Sequence, residues 1–233
     1  MCSGPTSPPA LTSGTYRRDY NEVKEVGDVN SAGRPQDRAD VARFYAAATP
    51  AQVWNQVAGQ VSAAQGNSLS QNARTFALLN MAISDSSVSV FETKYFYQFW
   101  RPVTAIRAAD MDGNPRTEPD SAFTPFIPTP AFPSYPSAHA SGSSAARLVL
   151  KRIFGDRRRS ITLSNPALPE VTLRYAKFRQ ITDDIDDARV YGGIHFRFEQ
   201  EVGATLGRDV AAYIYKRHFR CASAGRCDED ERD

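Results

Sequence analysis

The 233-residue sequence predicts a mainly α fold, a single helical bundle with one short β-hairpin. Three observations carry that expectation. Apolar residues recur at three- and four-residue steps through several windows. Capping residues and proline stops bracket those windows. Strand-like stretches are confined to residues 160–173. The hydrophobic fraction of 41% is ordinary for a globular chain and sufficient for a sizeable core. With 28 Lys and Arg against 26 Asp and Glu, the chain lacks the basic footprint of a nucleic-acid binder. No stretch approaches the roughly 20 apolar residues that cross a bilayer, and the amino terminus has no basic start followed by an apolar run. The chain as given therefore reads as soluble, without a membrane span or an export signal.

Residues 1–14, rich in Pro, Ser, Gly and Thr, are expected to form a disordered tail. Residues 15–220 form the helical domain, and residues 221–233 a second polar tail. A short helix is expected over residues 40–47. Thr49 followed by Pro50 marks a second start, with Val53, Trp54, Val57 and Val61 on its apolar face. Ser70 is read as the cap of a core helix presenting Ala73, Phe76, Ala77, Asn80, Met81 and Ser84. A further helix runs from about Ser87 to Trp100 and is stopped by Arg101-Pro102, because proline disfavours helical geometry at the residue before it.

Prolines and turn residues predict a long loop over residues 110–136, of a length that is often functional. Small residues from Ala138 to Ala146 lead into Leu148, Val149, Leu150, Ile153 and Phe154, a helix with Gly155 as terminator. Residues 160–163 and 171–173 flank Asn165-Pro166 as a hairpin. Phe198, Val202, Leu206, Val210 and Ile214 trace a last helix, read as beginning at His195. Arg157-Arg158-Arg159 reads as a solvated loop. Cys2, Cys221 and Cys227 form no metal-ligand pattern, and a Cys221–Cys227 pair and free thiols remain equally open.

Three stretches carry chemistry. Lys94 and Arg101, seven residues apart, are read as two turns along one helix face, about 10 Å apart in rise. Tyr95, Phe96, Tyr97, Phe99 and Trp100 surround them, and an unpaired cation in apolar surroundings is costly. Pro136-Ser137-Ala138-His139 stands at a helix start, where free N–H groups and the dipole favour an anion. There Ser137 can donate its hydroxyl, Ala138 its backbone N–H, and His139 can exchange a proton. Arg189 and His195 flank Gly192-Gly193, a turn tight enough to bring both to one place. Glu199, one helical turn after His195, can accept the second imidazole N–H and fix the tautomer. Gathered together, Lys94, Arg101 and Arg189 call for a doubly or triply charged tetrahedral oxyanion such as phosphate or vanadate.

Lys94 with six residues before Arg101-Pro102, then Pro136-Ser137-Ala138-His139, then Arg189 with five residues before His195, resembles the three-part signature of the vanadium-dependent haloperoxidases and type 2 phosphatidic acid phosphatases. The resemblance runs from about Tyr16 to Arg220 and includes the Phe99-Trp100-Arg101-Pro102 stretch typical of soluble bacterial members. It implies a helical bundle of the haloperoxidase and acid phosphatase type. Lys94, Arg101, Ser137, the Ala138 N–H and Arg189 would hold vanadate oxygens, His195 would bind vanadium, and His139 would act as acid-base residue. The run from His195 to Glu199 resembles the soluble haloperoxidase branch, and Phe132, seven residues before His139, resembles the chloroperoxidase form of the pocket. Ala138, Ala188 and Glu199 stand where the family usually has glycine, serine and aspartate.

The activity so implied is vanadate-dependent oxidation of chloride or bromide by hydrogen peroxide to hypohalous acid. Vanadate would serve as a prosthetic group of constant oxidation state. The same pocket suits phosphate monoester hydrolysis, with His195 attacking phosphorus, His139 protonating the leaving oxygen, and phosphate or no cofactor bound. A third reading is non-catalytic oxyanion binding. Soluble family members also carry an additional helical region before the part matched here.

Overall fold

The computed structural model describes residues 6–220 of the protein. In chain order the helices are α1 (Gly14–Val26), α2 (Gln36–Ala46), α3 (Pro50–Gln65), α4 (Leu69–Tyr97), α5 (Pro102–Arg107), α6 (Ala138–Phe154), α7 (Phe178–Tyr191) and α8 (Arg197–Arg217). Strands β1 (Ile161–Ser164) and β2 (Thr172–Tyr175) form one antiparallel hairpin, in register from Ile161 opposite Tyr175 to Ser164 opposite Thr172. Among the described residues, no helix is long and apolar enough to cross a membrane.

Local chemistry accounts for the boundaries. Thr49 accepts from the Gln52 N–H at 3.3 Å while the Gln52 side chain accepts from the Thr49 N–H at 2.8 Å, a reciprocal cap that starts α3. Ser68 and Gln71 repeat the device at α4, so the cap lies two residues before the expected Ser70. The expected break near Ser87 is absent, and α4 is one helix of 29 residues. Serines tolerate this interior because their hydroxyls bond back along the helix, Ser86 and Ser87 to the Ile83 carbonyl and Ser89 to that of Asp85.

The stop also differs from expectation. Gln98 takes a left-handed conformation, φ 47°, and ends α4 before Arg101-Pro102. Arg101 instead precedes α5, with Pro102 at its first position. Lys94 and Arg101 therefore do not share a helix face. A further helix, α7, occupies a stretch for which the sequence suggested none, and α8 begins at Arg197, two residues after His195. The expected helix over residues 40–47 starts earlier, at Gln36.

The expected tail does not include residues 6–13. Ser13 caps α1, the Leu11 carbonyl accepts from Asn114 Nδ2 at 2.9 Å, and the Tyr135 hydroxyl donates to the Thr6 carbonyl. Residues 1–5 and 221–233, with all three cysteines, lie outside the described residues.

Two apolar clusters form the core. The larger joins α2, α3, α4, α6, α7, α8 and the hairpin around Trp54, Leu78, Leu79, Val149 and Phe178. The smaller is aromatic and gathers Tyr16, Tyr20, Phe123, Tyr135, Phe196 and Phe198. Ala188 belongs to the first and Val190 to the second, so Arg189 emerges where the two meet. Helices α6 and α8 approach most closely at two glycines. A Cβ on Gly203 would lie 2.5 Å from the Ser137 carbonyl oxygen, and one on Gly207 would lie 2.0 Å from that of Ser141.

Gly207→Ala is therefore expected to force the two helices apart. Overpacking of about 1–3 kcal/mol outweighs the roughly 1 kcal/mol gained in helix propensity. A lowered midpoint in urea unfolding checks this, and an unchanged midpoint contradicts it.

Candidate oxyanion-binding site

The three motif stretches, distant in sequence, converge at the junction of the two clusters. Lys94, Arg101, Arg189, His195 and Glu199 are respectively 0%, 6%, 4%, 3% and 0% exposed, and Ser137 is also buried. Phe132, Ala138 and His139 each keep some exposure, the His139 ring being otherwise enclosed by protein.

Lys94 sits in the last turn of α4. Its Nζ donates to the carbonyls of Pro133 at 2.9 Å and Ser134 at 2.6 Å, leaving one further N–H. Arg101 donates Nε to the Phe132 carbonyl at 2.9 Å and Nη1 to the Ile194 carbonyl at 2.9 Å. Arg189, in the last turn of α7, donates Nη1 to the Tyr45 carbonyl at 3.1 Å. The Phe132 ring lies beside two of these cations, 5.3 Å from Lys94 Nζ and 5.0 Å from Arg101 Cζ.

His195 is held at both nitrogens. Nδ1 lies 2.5 Å from Glu199 Oε2, and Nε2 lies 3.1 Å from Arg101 Nη1. An arginine can only donate, so Nε2 accepts and Nδ1 carries the proton toward Glu199. Glu199 Oε2 also accepts from the Ser134 hydroxyl at 2.8 Å and the Phe196 N–H at 3.1 Å. Glu199 therefore reaches the imidazole from the first turn of α8, where it also caps the helix.

The turn leading to His195 is fixed by crowded backbone. Gly193 has φ 77°, and a Cβ there would lie 2.3 Å from the Gly27 carbonyl oxygen. Glycine is required on both counts. On the opposite side, Ser137 is the N-cap of α6 and accepts from the Ala140 N–H at 3.3 Å, leaving its own O–H free to donate. The N–H groups of Ala138 and His139, in the first helical turn, have no intrahelical acceptor.

Burial, then Arg101, pushes the Lys94 ammonium down to about 7. Burial lowers Arg101 to about 10, and burial together with Arg101 lowers Arg189 to about 9. Both arginines stay cationic at neutral pH. Burial pushes the Glu199 carboxyl up to about 7 against the pull of Lys94 and the Ser134 hydroxyl. Both imidazoles lie well below the usual range: His139 through burial and Arg189, opposed by a hydrogen bond to the Ala48 backbone, and His195 through burial and Arg101.

The structure thus brings together all nine residues singled out in the sequence. It adds Ser134, which orients Glu199, and the carbonyls of Phe132, Pro133, Ser134, Ile194 and Tyr45, which cradle the cations. Backbone carbonyls have no sequence signature, and Ser134 was hidden among the loop's turn residues. The donor set fits a tetrahedral oxyanion. Three cations surround a single carboxylate, and two buried N–H groups, Arg101 Nη2 and Arg189 Nε, have no acceptor among the described residues.

Fold and site together define a mainly helical domain with a buried polycationic cluster. Residues 74–224 match the family model of the VCPO second helical-bundle domain, and the chain belongs to this vanadium haloperoxidase family. The curated vanadium chloroperoxidase of Curvularia inaequalis is 28% identical over 127 residues, 47% of this chain and 20% of that protein. The crystal structure of the first bacterial vanadium-dependent iodoperoxidase superposes with a TM-score of 0.77 at 27% identity, over 91% of this chain and 52% of that one. The apo form of a bacterial vanadium-dependent chloroperoxidase superposes with a TM-score of 0.66 over 91% of this chain and 52% of that one, and at 20% identity supports the fold alone. The chain spans about half the length of these solved relatives and a fifth of the curated one.

The lowered Lys94 ammonium sets a pH window. The folded form releases this proton near 7 and the unfolded chain at about 10.5, so the unfolded state binds more protons between those values. Stability attributable to Lys94 therefore rises with pH from about 7 toward 10.5, and is level below about 7, where both states hold the proton. In denaturant titrations at pH 7 and pH 9, Lys94→Met is expected to reduce that rise. An unaltered rise in the variant contradicts the assignment.

Proposed function

We propose that the chain is the vanadate-binding, halide-oxidising domain of a vanadium-dependent haloperoxidase. The observation that carries the reading is the pair of buried guanidinium N–H groups, on Arg101 and Arg189, that lack an acceptor among the described residues, in a cluster where Arg101 also donates to His195 Nε2. Lys94, Arg101, Ser137, the Ala138 N–H and Arg189 would hold the oxygens of vanadate, and His195 Nε2 would bind the metal. When bound, vanadate supplies a Lewis-acidic centre of constant oxidation state that activates hydrogen peroxide toward halide.

The chain's own residues do the rest. Arg101 donates to the lone pair of His195 Nε2, which keeps that nitrogen unprotonated and which Arg101 would release on vanadate binding, and Glu199 holds the Nδ1 proton on the far side. His139, with its depressed basicity, is neutral near pH 7 and able to take a proton from hydrogen peroxide at the ring nitrogen not engaged with Ala48. Lys94, with one N–H to spare, supplies positive charge where electron density accumulates on the oxidant oxygen. The net change consumes one peroxide, one halide and one proton and yields hypohalous acid and water. Phe132, beside two of the cations, presents an apolar wall that desolvates this side of the pocket.

Purified protein, metal-free and after orthovanadate loading, should be assayed in parallel for chloride, bromide and iodide oxidation by hydrogen peroxide and for hydrolysis of a chromogenic phosphate ester. Halogenation that requires vanadate is expected. Ester hydrolysis by the metal-free form, inhibited by vanadate, would reverse the reading in favour of the phosphatase, and tight oxyanion binding with neither activity would leave a binding protein. His139→Ala is expected to lower turnover by about two to four orders of magnitude while retaining most orthovanadate affinity. Unchanged turnover would refute its role as base.

A further inference from the structure

Two of the site's groups take their orienting partners from one short stretch of backbone that no motif includes. Arg189 Nη1 donates to the Tyr45 carbonyl at 3.1 Å, and the Ala48 backbone lies close enough to the His139 ring to favour a proton there. Residues 45–48 are the end of α2 and the turn that follows it. Carbonyls there lack intrahelical donors and carry the negative end of the helix dipole, so they suit a guanidinium and an imidazole N–H.

The hairpin holds this stretch from the other side. The hydroxyls of Tyr45 and Tyr175, the latter at the end of β2, lie 2.8 Å apart. Tyr175 donates to Asp184 Oδ2 on α7 at 2.8 Å, which leaves Tyr45 as donor to Tyr175. Arg38 of α2 closes the ring by donating to Asp184 Oδ1 at 2.9 Å. Between the strands, Asn165 donates Nδ2 to the Ala47 carbonyl at 3.2 Å. Tyr45 is fully buried and Tyr175 nearly so, where a hydroxyl pair is costly to leave half satisfied.

We propose that the β-hairpin is a positioning element of the site, in which Tyr175 and Asn165 fix residues 45–48 and thereby aim His139 and Arg189. Neither residue touches the pocket. Both act through the backbone of α2's end, and the hairpin, remote from all three motifs, gains a reason to be where it is. For its anion-binding consequence the inference rests on the oxyanion reading given above, but its geometric core does not.

The test reads the His139 ring N–H directly. Imidazole 1H–15N spectra of the whole chain contain at most three histidines, and the His139 signal is assigned by its loss in His139→Ala. In Tyr175→Phe and in Asn165→Ala, exchange of that N–H with solvent is expected to quicken about tenfold or more as residues 45–48 loosen. Tyr45→Phe combined with Tyr175→Phe should be no worse than Tyr175→Phe alone, because the first removal already breaks the link. Ile214→Val, buried at the far end of α8, serves as a control for general destabilisation and should leave the signal unchanged. Asn165 is partly exposed, so its alanine variant remains a test if the tyrosine variants fold poorly.

Unchanged exchange in both Tyr175→Phe and Asn165→Ala overturns the proposal, as does equal quickening in Ile214→Val. Equilibrium dialysis with orthovanadate adds a second readout, with Kd expected to rise roughly threefold to tenfold in the two hairpin variants. Wild-type protein that binds no orthovanadate contradicts the proposed function instead, and the imidazole exchange then decides the positioning role by itself.

Discussion

Confining three cations around one carboxylate, away from water, is the constraint to which the rest of the molecule answers. Each buried ion forfeits solvation worth several kcal/mol, and like charges gathered in a poorly screened place repel. Carbonyl oxygens meet most of that need. Lys94 and Arg101 are served by the loop before α6 and by the turn before α8, and Arg189 by the end of α2. The irregular segments are thus shaped to deliver backbone oxygens inward. This explains why the molecule devotes a long, proline-rich connection to a place where a shorter one would join the same helices.

The helical frame supplies the opposite polarity. At the start of α6 it offers N–H groups toward the pocket, and at the start of α8 it offers N–H groups to carboxylates. Asp19 of α1 accepts from the Phe198 N–H at 2.8 Å, while Glu22 of α1 and Asp187 of α7 grip Arg197. First-turn donors of α8 are therefore satisfied by a helix at the other end of the chain. With Gly203 and Gly207 allowing α8 to lie directly on α6, His195 and Ser137 are set in one rigid relation.

Much of this was legible in the residue pattern, and the reasons for the misses are physical. Thr49-Pro50, Gly155 and the run from Phe198 to Ile214 act through local geometry, so they can be read without knowing their neighbours. The gathering of Lys94, Arg101 and Arg189 was legible for a related reason: cations set among aromatic residues are costly without a shared counter-charge. Ser86, Ser87 and Ser89 misled, because serine favours helix starts in isolation yet bonds back to carbonyls when flanking turns are packed. Helix α7 was missed since its apolar positions, Phe178, Ile181, Ile185 and Ala188, are interrupted by Asp183, Asp184, Asp186 and Asp187, two of which pair with Arg38 across to α2. The stop at Gln98 was invisible because glutamine carries no preference for a left-handed cap.

One oxygen atom, Oε2 of Glu199, serves the imidazole, the hydroxyl of Ser134 in the loop before α6 and the N–H of Phe196 at the cap of α8 at once. Ring orientation and helix initiation are consequently a single degree of freedom. Anyone replacing His195 by another side chain would have to furnish α8 with a new beginning at the same time. Natural variation at this position is subject to the same bargain: a shorter or uncharged side chain must satisfy three donors from two segments, or let all three drift together.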